Sequence, residues 1–364
     1  MMLKEYETKE IRIMDFLQSN HLDGILLSRR DSFAWVTCGG DNSVFKYTEQ
    51  GVADILITKE NKYIILSEVE KYRILDEEIS GQGFKVVGYD WYGGREPAIK
   101  KSITGKKIVS DTGAYGLQNV FKSFRILRYS LLPQEILRFR ALCEATSKAV
   151  GEVCYELKKG NSEYEIAANL TERLLRQGIK VPVCLIAVDE RIKKYRHPIP
   201  GNKKAEKYVL VSVGSEKYGL FASLSRMVSF GEPSDEIIKK NEACMRIDAE
   251  MISNTAVGVK VSDILNCGVA AYAANGYPDE WKMHHQGGST GYHAREYLAT
   301  FDIKDKVMNN QAFSWNPTIA GAKCEDTYLI KESGQKILTT IEKWPVKDIK
   351  ASNGIIKKPD ILIK

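Results

Sequence analysis

The sequence lacks three things that would each have fixed its class: a CxxC pair, a basic run interleaved with aromatics, and an apolar stretch long enough to cross a bilayer. Seven cysteines lie scattered from Cys38 to Cys324. An odd number at irregular spacing argues against a disulfide framework and against a thiolate zinc site, so these read as reduced, mostly buried thiols. A membrane span needs about 18 consecutive apolar residues, and no window reaches that length. The opening Met-Met-Leu-Lys-Glu-Tyr-Glu has no apolar core of a signal peptide, so a cytoplasmic protein without a membrane partner is expected. Lysine and arginine give a net charge of +6 but are dispersed along the chain, so no nucleic-acid partner is expected. Histidine is scarce, with five in 364 residues.

What is present describes a globular enzyme-sized chain. A hydrophobic fraction of 43% and a charged fraction of 27% suit a substantial core, and the length favours two domains. Residues 4–19 place Ile11, Met14, Phe16 and Leu17 at approximately helical spacing, and residues 24–28 form a short apolar run that reads as a buried strand. Residues 52–58 and 63–67 flank a polar turn and read as a hairpin, with a further strand at 107–111. These elements make a small α/β domain over residues 1–130.

The pattern changes at Pro133, which suits a helix entry. A long amphipathic helix is predicted over 134–158, broken by Gly160-Asn161. Ser162 and Glu165 then form a capping box for a second helix that ends at Gly178. Strands follow near 181–186, 209–213, 219–230, 313–318 and 323–330, with helices near 232–249 and 261–275 between them. Helices, strands, helices, strands suggests an internal duplication within an α+β domain over residues 131–364.

Four of the five histidines, His197, His284, His285 and His293, fall in the second domain inside segments dense in glycine, proline and charge. Histidine is the side chain best suited to exchanging a proton near neutral pH. Around them six motifs occur in order: Tyr195-Arg-His-Pro-Ile-Pro200, Val209-Leu-Val-Ser-Val-Gly214, Gly219-Leu-Phe-Ala-Ser-Leu-Ser-Arg226, His284-His-Gln-Gly-Gly-Ser-Thr-Gly291, Trp315-Asn-Pro317 and Cys324-Glu-Asp-Thr-Tyr328. This series resembles the pita-bread family of methionine aminopeptidase, aminopeptidase P, prolidase and creatinase, over about residues 130 to 335. The resemblance implies an α+β pita-bread C-terminal domain, a pseudo-duplicated curved antiparallel sheet backed by helices. It also implies a smaller α/β creatinase-type domain before it.

In the metallopeptidases of that family two Asp, one His and two Glu hold two divalent cations. Carried over position by position, the first Asp falls on Ser212, and the second, eleven residues on and before x-x-Arg, on Ser223. The ligand histidine falls on Gly288, the first glutamate on Asn316, and only the last survives, as Glu325. Hard cations need several anionic oxygens to offset their dehydration, so the resemblance implies a degenerate site with no metal and no other cofactor.

The retained residues match the creatinase branch, which cleaves a C–N bond without metal. His284 with Gly287, and Arg295 with Glu296, stand where that branch has a histidine and an Arg-Glu pair. By this resemblance His197 shuttles the proton, His284 lines the pocket, and Glu325 with Glu296 binds a cationic or amide N–H part of the substrate. Arg295 and Arg226 hold a substrate carboxylate, for which a guanidinium fork is suited. Ser212 and Ser223 fill the emptied metal site. Asp41 and Asn42 lie on the first-domain loop that reaches a partner's site in creatinase-like dimers, so a homodimer acting on a small molecule is expected. The expected reaction is metal-independent hydrolysis of an amide, amidine or guanidino C–N bond. Two alternatives stay open: a metal-dependent X-Pro dipeptidase or aminopeptidase P with a drifted site, and an inactive pita-bread domain used for binding.

Overall fold

The computed structural model of the chain describes residues 4–45 and 48–364. They group into two compact units, one running to Arg128 and taking in Tyr218–Leu220, the other comprising Tyr129–Lys217 and Phe221–Lys364.

The first unit is a six-stranded mixed sheet with helices. In chain order it contains α1 (Glu5–Ser19), β1 (Gly24–Arg29), α2 (Arg30–Val36), β2 (Gln50–Thr58) and β3 (Lys62–Ser67). These are followed by β4 (Lys85–Tyr89), α3 (Arg95–Ile103), β5 (Ile108–Ser110) and β6 (Gln118–Asn119). The strand order is β4-β3-β2-β1-β5-β6. The apolar run of β1 is central because it pairs antiparallel with β2 and parallel with β5, leaving Ile25, Leu26 and Leu27 wholly buried. Strand β4 has no fully buried residue, and its sequence Lys-Val-Val-Gly-Tyr lacks apolar–polar alternation, so it carries no strand signal.

Asp41 and Asn42, expected to reach a partner's site, make contacts within the first unit. Asn42 is fully buried and its Nδ2 donates to the Ala53 carbonyl at 2.8 Å. Asp41 Oδ1 accepts from the Ser43 amide at 2.9 Å and from the Ser43 hydroxyl at 2.6 Å, an Asx-type turn.

The second unit repeats one pattern twice. Helices α4 (Pro133–Glu156) and α5 (Glu163–Leu175) precede β7 (Lys180–Val188), β8 (Tyr208–Lys217) and β9 (Leu220–Ser229). Helices α6 (Asp235–Ser253) and α7 (Val261–Ala274) precede β10 (Gly287–Thr290), β11 (Tyr297–Leu298) and β12 (Gln311–Trp315). The short pair β13 (Thr318–Ile319) and β14 (Ala322–Lys323) leads into β15 (Asp326–Lys331) and β16 (Gly334–Ile337). The capping box at α5 forms: Ser162 Oγ accepts from the Glu165 amide at 3.2 Å, and Glu165 accepts from the Ser162 amide at 2.7 Å.

A C-terminal hairpin, β17 (Val346–Ala351) and β18 (Gly354–Pro359), and β19 (Leu362–Ile363) complete the unit. The two main sheets have the orders β19-β9-β8-β7 and β11-β10-β12-β15-β16. They meet along a seam that includes an isolated bridge, where the Ser225 amide donates to the Glu325 carbonyl at 3.1 Å. This seam positions the site. The fold is the pita-bread fold expected from the motifs.

Candidate functional site

Strands β8 and β9 are neighbours, and they bring Ser212 and Ser225 face to face with their hydroxyls 2.8 Å apart. The bridge across the seam delivers Glu325 to the same spot. Its Oε2 accepts from Ser225 Oγ at 2.7 Å and lies 3.0 Å from Lys323 Nζ, with Ser212 Oγ farther off at 3.4 Å. Its Oε1 takes Arg295 Nη2 at 3.0 Å. Lys323 Nζ also donates to Ser212 Oγ at 3.1 Å. All four side chains that surround the carboxylate come from the second unit.

Burial by itself would push the Glu325 carboxyl up. The ammonium of Lys323 and then the guanidinium of Arg295 overcome that and hold it well below the usual carboxylate range. Glu325 is 4% exposed and Lys323 7%, so the pair is an internal ion pair with an added guanidinium. Donors remain uncommitted among the described residues: the third N–H of Lys323, the second N–H on each of Arg295 Nη1 and Nη2, and the buried Arg295 Nε–H.

The histidines gather beside this cluster. His197 Nε2 and His284 Nε2 are 2.9 Å apart, and the His284 and His285 rings lie 4.3 Å apart at their centroids. His284 Nδ1 lies 2.6 Å from the His285 carbonyl oxygen, which can only accept. In the neutral ring His284 Nδ1 therefore carries the proton, its Nε2 offers a lone pair, and His197 donates from Nε2. Gln286 braces the segment, donating to the Trp281 carbonyl at 3.0 Å and to the His284 carbonyl at 2.5 Å while accepting from Tyr272 Oη at 2.8 Å.

All three rings are held neutral. Burial and then the Lys323 charge lower His284 to about 3. Burial, then Arg295, lowers His285, and burial, then Lys323, lowers His197 while Glu325 pulls it the other way. His284 is buried, whereas His197 and His285 reach solvent.

Two of the expected substrate contacts are committed elsewhere. Arg226 points its guanidinium into the protein, where Nη2 meets Asp326 Oδ1 and the Thr339 carbonyl, each at 2.7 Å, and Nη1 meets the Ser225 carbonyl at 2.8 Å. Glu296, 1% exposed, accepts the Tyr292 amide at 2.9 Å and closes the turn after β10. Both are structural partners in this structure, a correction to the substrate-binding role. Ser223 shares a face of β9 with Ser225, yet it is Ser225 that contacts Glu325. Backbone groups of Ser223 pair with Thr327 Oγ1 at 2.9 and 2.8 Å.

Lys323 is not singled out from the sequence, and His285 and Ser225 are left out of the expected site. Lys323 carried a signal: it stands two positions before Glu325, the spacing that puts two extended residues on one face.

The donor set does not fit two divalent cations. Glu325 is its single carboxylate, and both its oxygens already meet organic cations. At Gly288, where a ligand histidine would stand, a Cβ would lie 2.2 Å from the Tyr297 carbonyl oxygen, so β10 and β11 close over that position. Asn316 is a neutral amide whose buried Oδ1 has no hydrogen-bond partner among the described residues. Ser212 and Ser223 are neutral hydroxyls. One carboxylate among neutral oxygens cannot offset the dehydration of two hard cations.

Comparison with known proteins places this geometry in context. Residues 138–332 match the model of metallopeptidase family M24. The chain is 23% identical over 352 residues to a Xaa-Pro dipeptidase of Pyrococcus horikoshii, covering 91% of this chain and 97% of that protein. Its fold resembles the prolidase structure from the same organism with a TM-score of 0.79 at 20% identity, over 92% of this chain and 99% of that one. It also resembles a Xaa-Pro dipeptidase of Bacillus anthracis with a TM-score of 0.80 at 18% identity, over 99% and 100% of the two chains. The creatinase branch is not singled out by these matches. The family match spans more than half of the sequence and contains every residue of the seam, and the chain therefore belongs to metallopeptidase family M24.

Proposed function

We propose that this chain is a hydrolase of small peptides or related amides, of the Xaa-Pro class for which its dipeptidase relatives are named, and that fixed organic cations do the work of the family's metal ions. The observation that carries the proposal is Lys323 Nζ, 3.0 Å from the one retained ligand carboxylate and 3.1 Å from Ser212, the position of the first lost one.

A substrate carbonyl oxygen placed against the uncommitted N–H groups of Lys323 and Arg295 would meet two positive charges as it becomes an oxyanion. Preorganised donors in a water-poor site are worth most at that stage. Water attacks the carbonyl carbon and gives its proton to the neutral His197–His284 pair. The same pair returns that proton to the departing nitrogen as the C–N bond breaks. Glu325 keeps both cations in place and offers one charge against two, so the site retains a net positive charge that suits a substrate carboxylate.

A second reading, a metal-dependent dipeptidase, is favoured by the near full-length match to named Xaa-Pro dipeptidases. The donor set argues against it.

The test is amino-acid release from a panel of Xaa-Pro dipeptides and N-acyl amino acids by the wild type and by Lys323→Ala. Lys323→Ala is expected to lower kcat about 10²-fold with a smaller change in KM, the loss typical of one oxyanion donor. A wild-type chain that cleaves none of the panel, or a Lys323→Ala chain with unchanged kcat, refutes the proposal.

A further inference from the structure

His197, His284 and His285 offer ring nitrogens that all lie within 4.8 Å of one another. Two of these nitrogens, His197 Nε2 and His284 Nε2, face each other at 2.9 Å across a single proton. In tetrahedral coordination by imidazole, metal–nitrogen bonds of about 2.0–2.1 Å set the ligand nitrogens roughly 3.3 Å apart. Opening the His197–His284 contact by a few tenths of an ångström, and drawing in His285, admits an ion where the proton now sits.

The surroundings resemble those of imidazole metal sites. His284 Nδ1 is tied to a carbonyl oxygen, the outer contact that fixes a ligand ring and directs its Nε2 lone pair outward. Gln286 holds the same segment from the other side. His197 and His285 reach solvent, which gives an entry path.

We propose that these three histidines form a binding site for one imidazole-preferring transition-metal ion such as Zn²⁺. This site is distinct from the family's carboxylate positions. Three neutral nitrogens suit Zn²⁺, Co²⁺, Ni²⁺ or Cu²⁺, and exclude Mg²⁺ and Mn²⁺, which require anionic oxygens. On entry the ion takes the Nε2 lone pairs of His197 and His284, and the proton on His197 Nε2 moves to its Nδ1 or to solvent. Lys323 and Arg295 stand close enough to oppose the ion, and Glu325 partly offsets them. The site is therefore of moderate affinity. Occupancy removes His197 and His284 from proton transfer, so the ion inhibits; this last clause rests on the hydrolase reading above.

The test titrates Co²⁺ into the full-length chain and follows its visible ligand-field bands, with competition by Zn²⁺ and by Mn²⁺. One equivalent is expected to bind with Kd below about 100 μM. Zn²⁺ should displace it and Mn²⁺ should not. Each of His197→Ala and His285→Ala should weaken binding about 10- to 100-fold. Lys323→Ala, which removes a neighbouring charge, should tighten it. Absence of saturable Co²⁺ binding, or binding unchanged in His285→Ala with folding checked by circular dichroism, overturns the site. Zn²⁺ that binds the trio without slowing hydrolysis leaves the site standing and removes His197 and His284 from the catalytic reading.

Discussion

Glu325 accepts from two hydroxyls and meets two cations, and the sign of each neighbour decides what the site can bind. Removing its charge by Glu325→Gln would leave the buried Lys323 and the partly buried Arg295 with no anion. Breaking one partner of a buried ion pair costs about 3–5 kcal/mol. A lower thermal midpoint together with loss of hydrolysis is expected. Arg226 is the contrasting case. Arg226→Met should cost similar stability, because it leaves Asp326 and the fully buried Lys358, whose Nζ is 2.9 Å from Asp326 Oδ2, without their balance. Its kcat per folded molecule should stay unchanged, as calorimetry and active-site titration on the same sample would determine. A fall in kcat with no loss of stability would return Arg226 to the substrate. Sequence could not separate these two arginines. Arg226 precedes Met227 and Arg295 precedes Glu296, and neither neighbour says which way the guanidinium points; the pairing of Arg226 with Asp326 of β15 is what turns it inward. Lys323 was closer to legible, since alternation alone places it beside Glu325.

Elements explain why the site closed instead of drifting. Strands β10 and β11 pair through Gly288 and Leu298, and the carbonyl of Tyr297 fills the space a side chain on Gly288 would need. Gly288 has φ near +156 and a Cβ clash at 2.2 Å, so Gly288→Ala should lower the thermal midpoint by several degrees, and Gly288→His should do so further without conferring Mn²⁺ binding. A stable Gly288→His chain that takes up Mn²⁺ would mean that β11 yields easily.

At this scale the sequence was informative where periodicity or caps were strong. The helices α1, α4, α6 and α7, the β2–β3 hairpin and the Ser162–Glu165 cap all formed near their expected positions. The short helix α2 begins with two charges directly after a strand, and the C-terminal hairpin is half exposed, so neither carries a clear period. That hairpin is anchored by polar contacts instead: the buried Lys358 ammonium meets Tyr328 Oη at 2.6 Å and the carboxylate of Asp248, Lys347 pairs with Glu242 at 3.0 Å, and the Ser352 amide donates to Glu250 at 3.0 Å.

For the whole molecule, the neutral histidines make stability depend on pH. His284 is held at about 3, against an ordinary value near 6.5, so the folded chain refuses a proton that the unfolded chain accepts. Its contribution is complete above about 6.5 and is lost as pH falls from there toward 3. Glu325, held below its ordinary range, acts in the same direction at lower pH. Thermal midpoints measured from pH 7.5 to pH 5 should therefore fall, and the slope should be shallower in His284→Asn. A flat profile would show that folding leaves the proton affinity of His284 unchanged, and contradict its being held neutral.

Family membership, fold and motif order were readable from the chain because six weak motifs fall in register. The substrate was not, because it depends on which donors are left unspent once every internal pair has formed. The central claim is that the chain's own cations, Lys323 above all, replace the family's metal ions. Its most direct test is hydrolysis of the best Xaa-Pro substrate before and after exhaustive dialysis against a chelator, with Mn²⁺ or Co²⁺ then added back. Activity that survives chelation, or rises as inhibitory zinc is stripped, and gains nothing from Mn²⁺ is the predicted result. Activity that disappears on chelation and returns with Mn²⁺ would contradict the account.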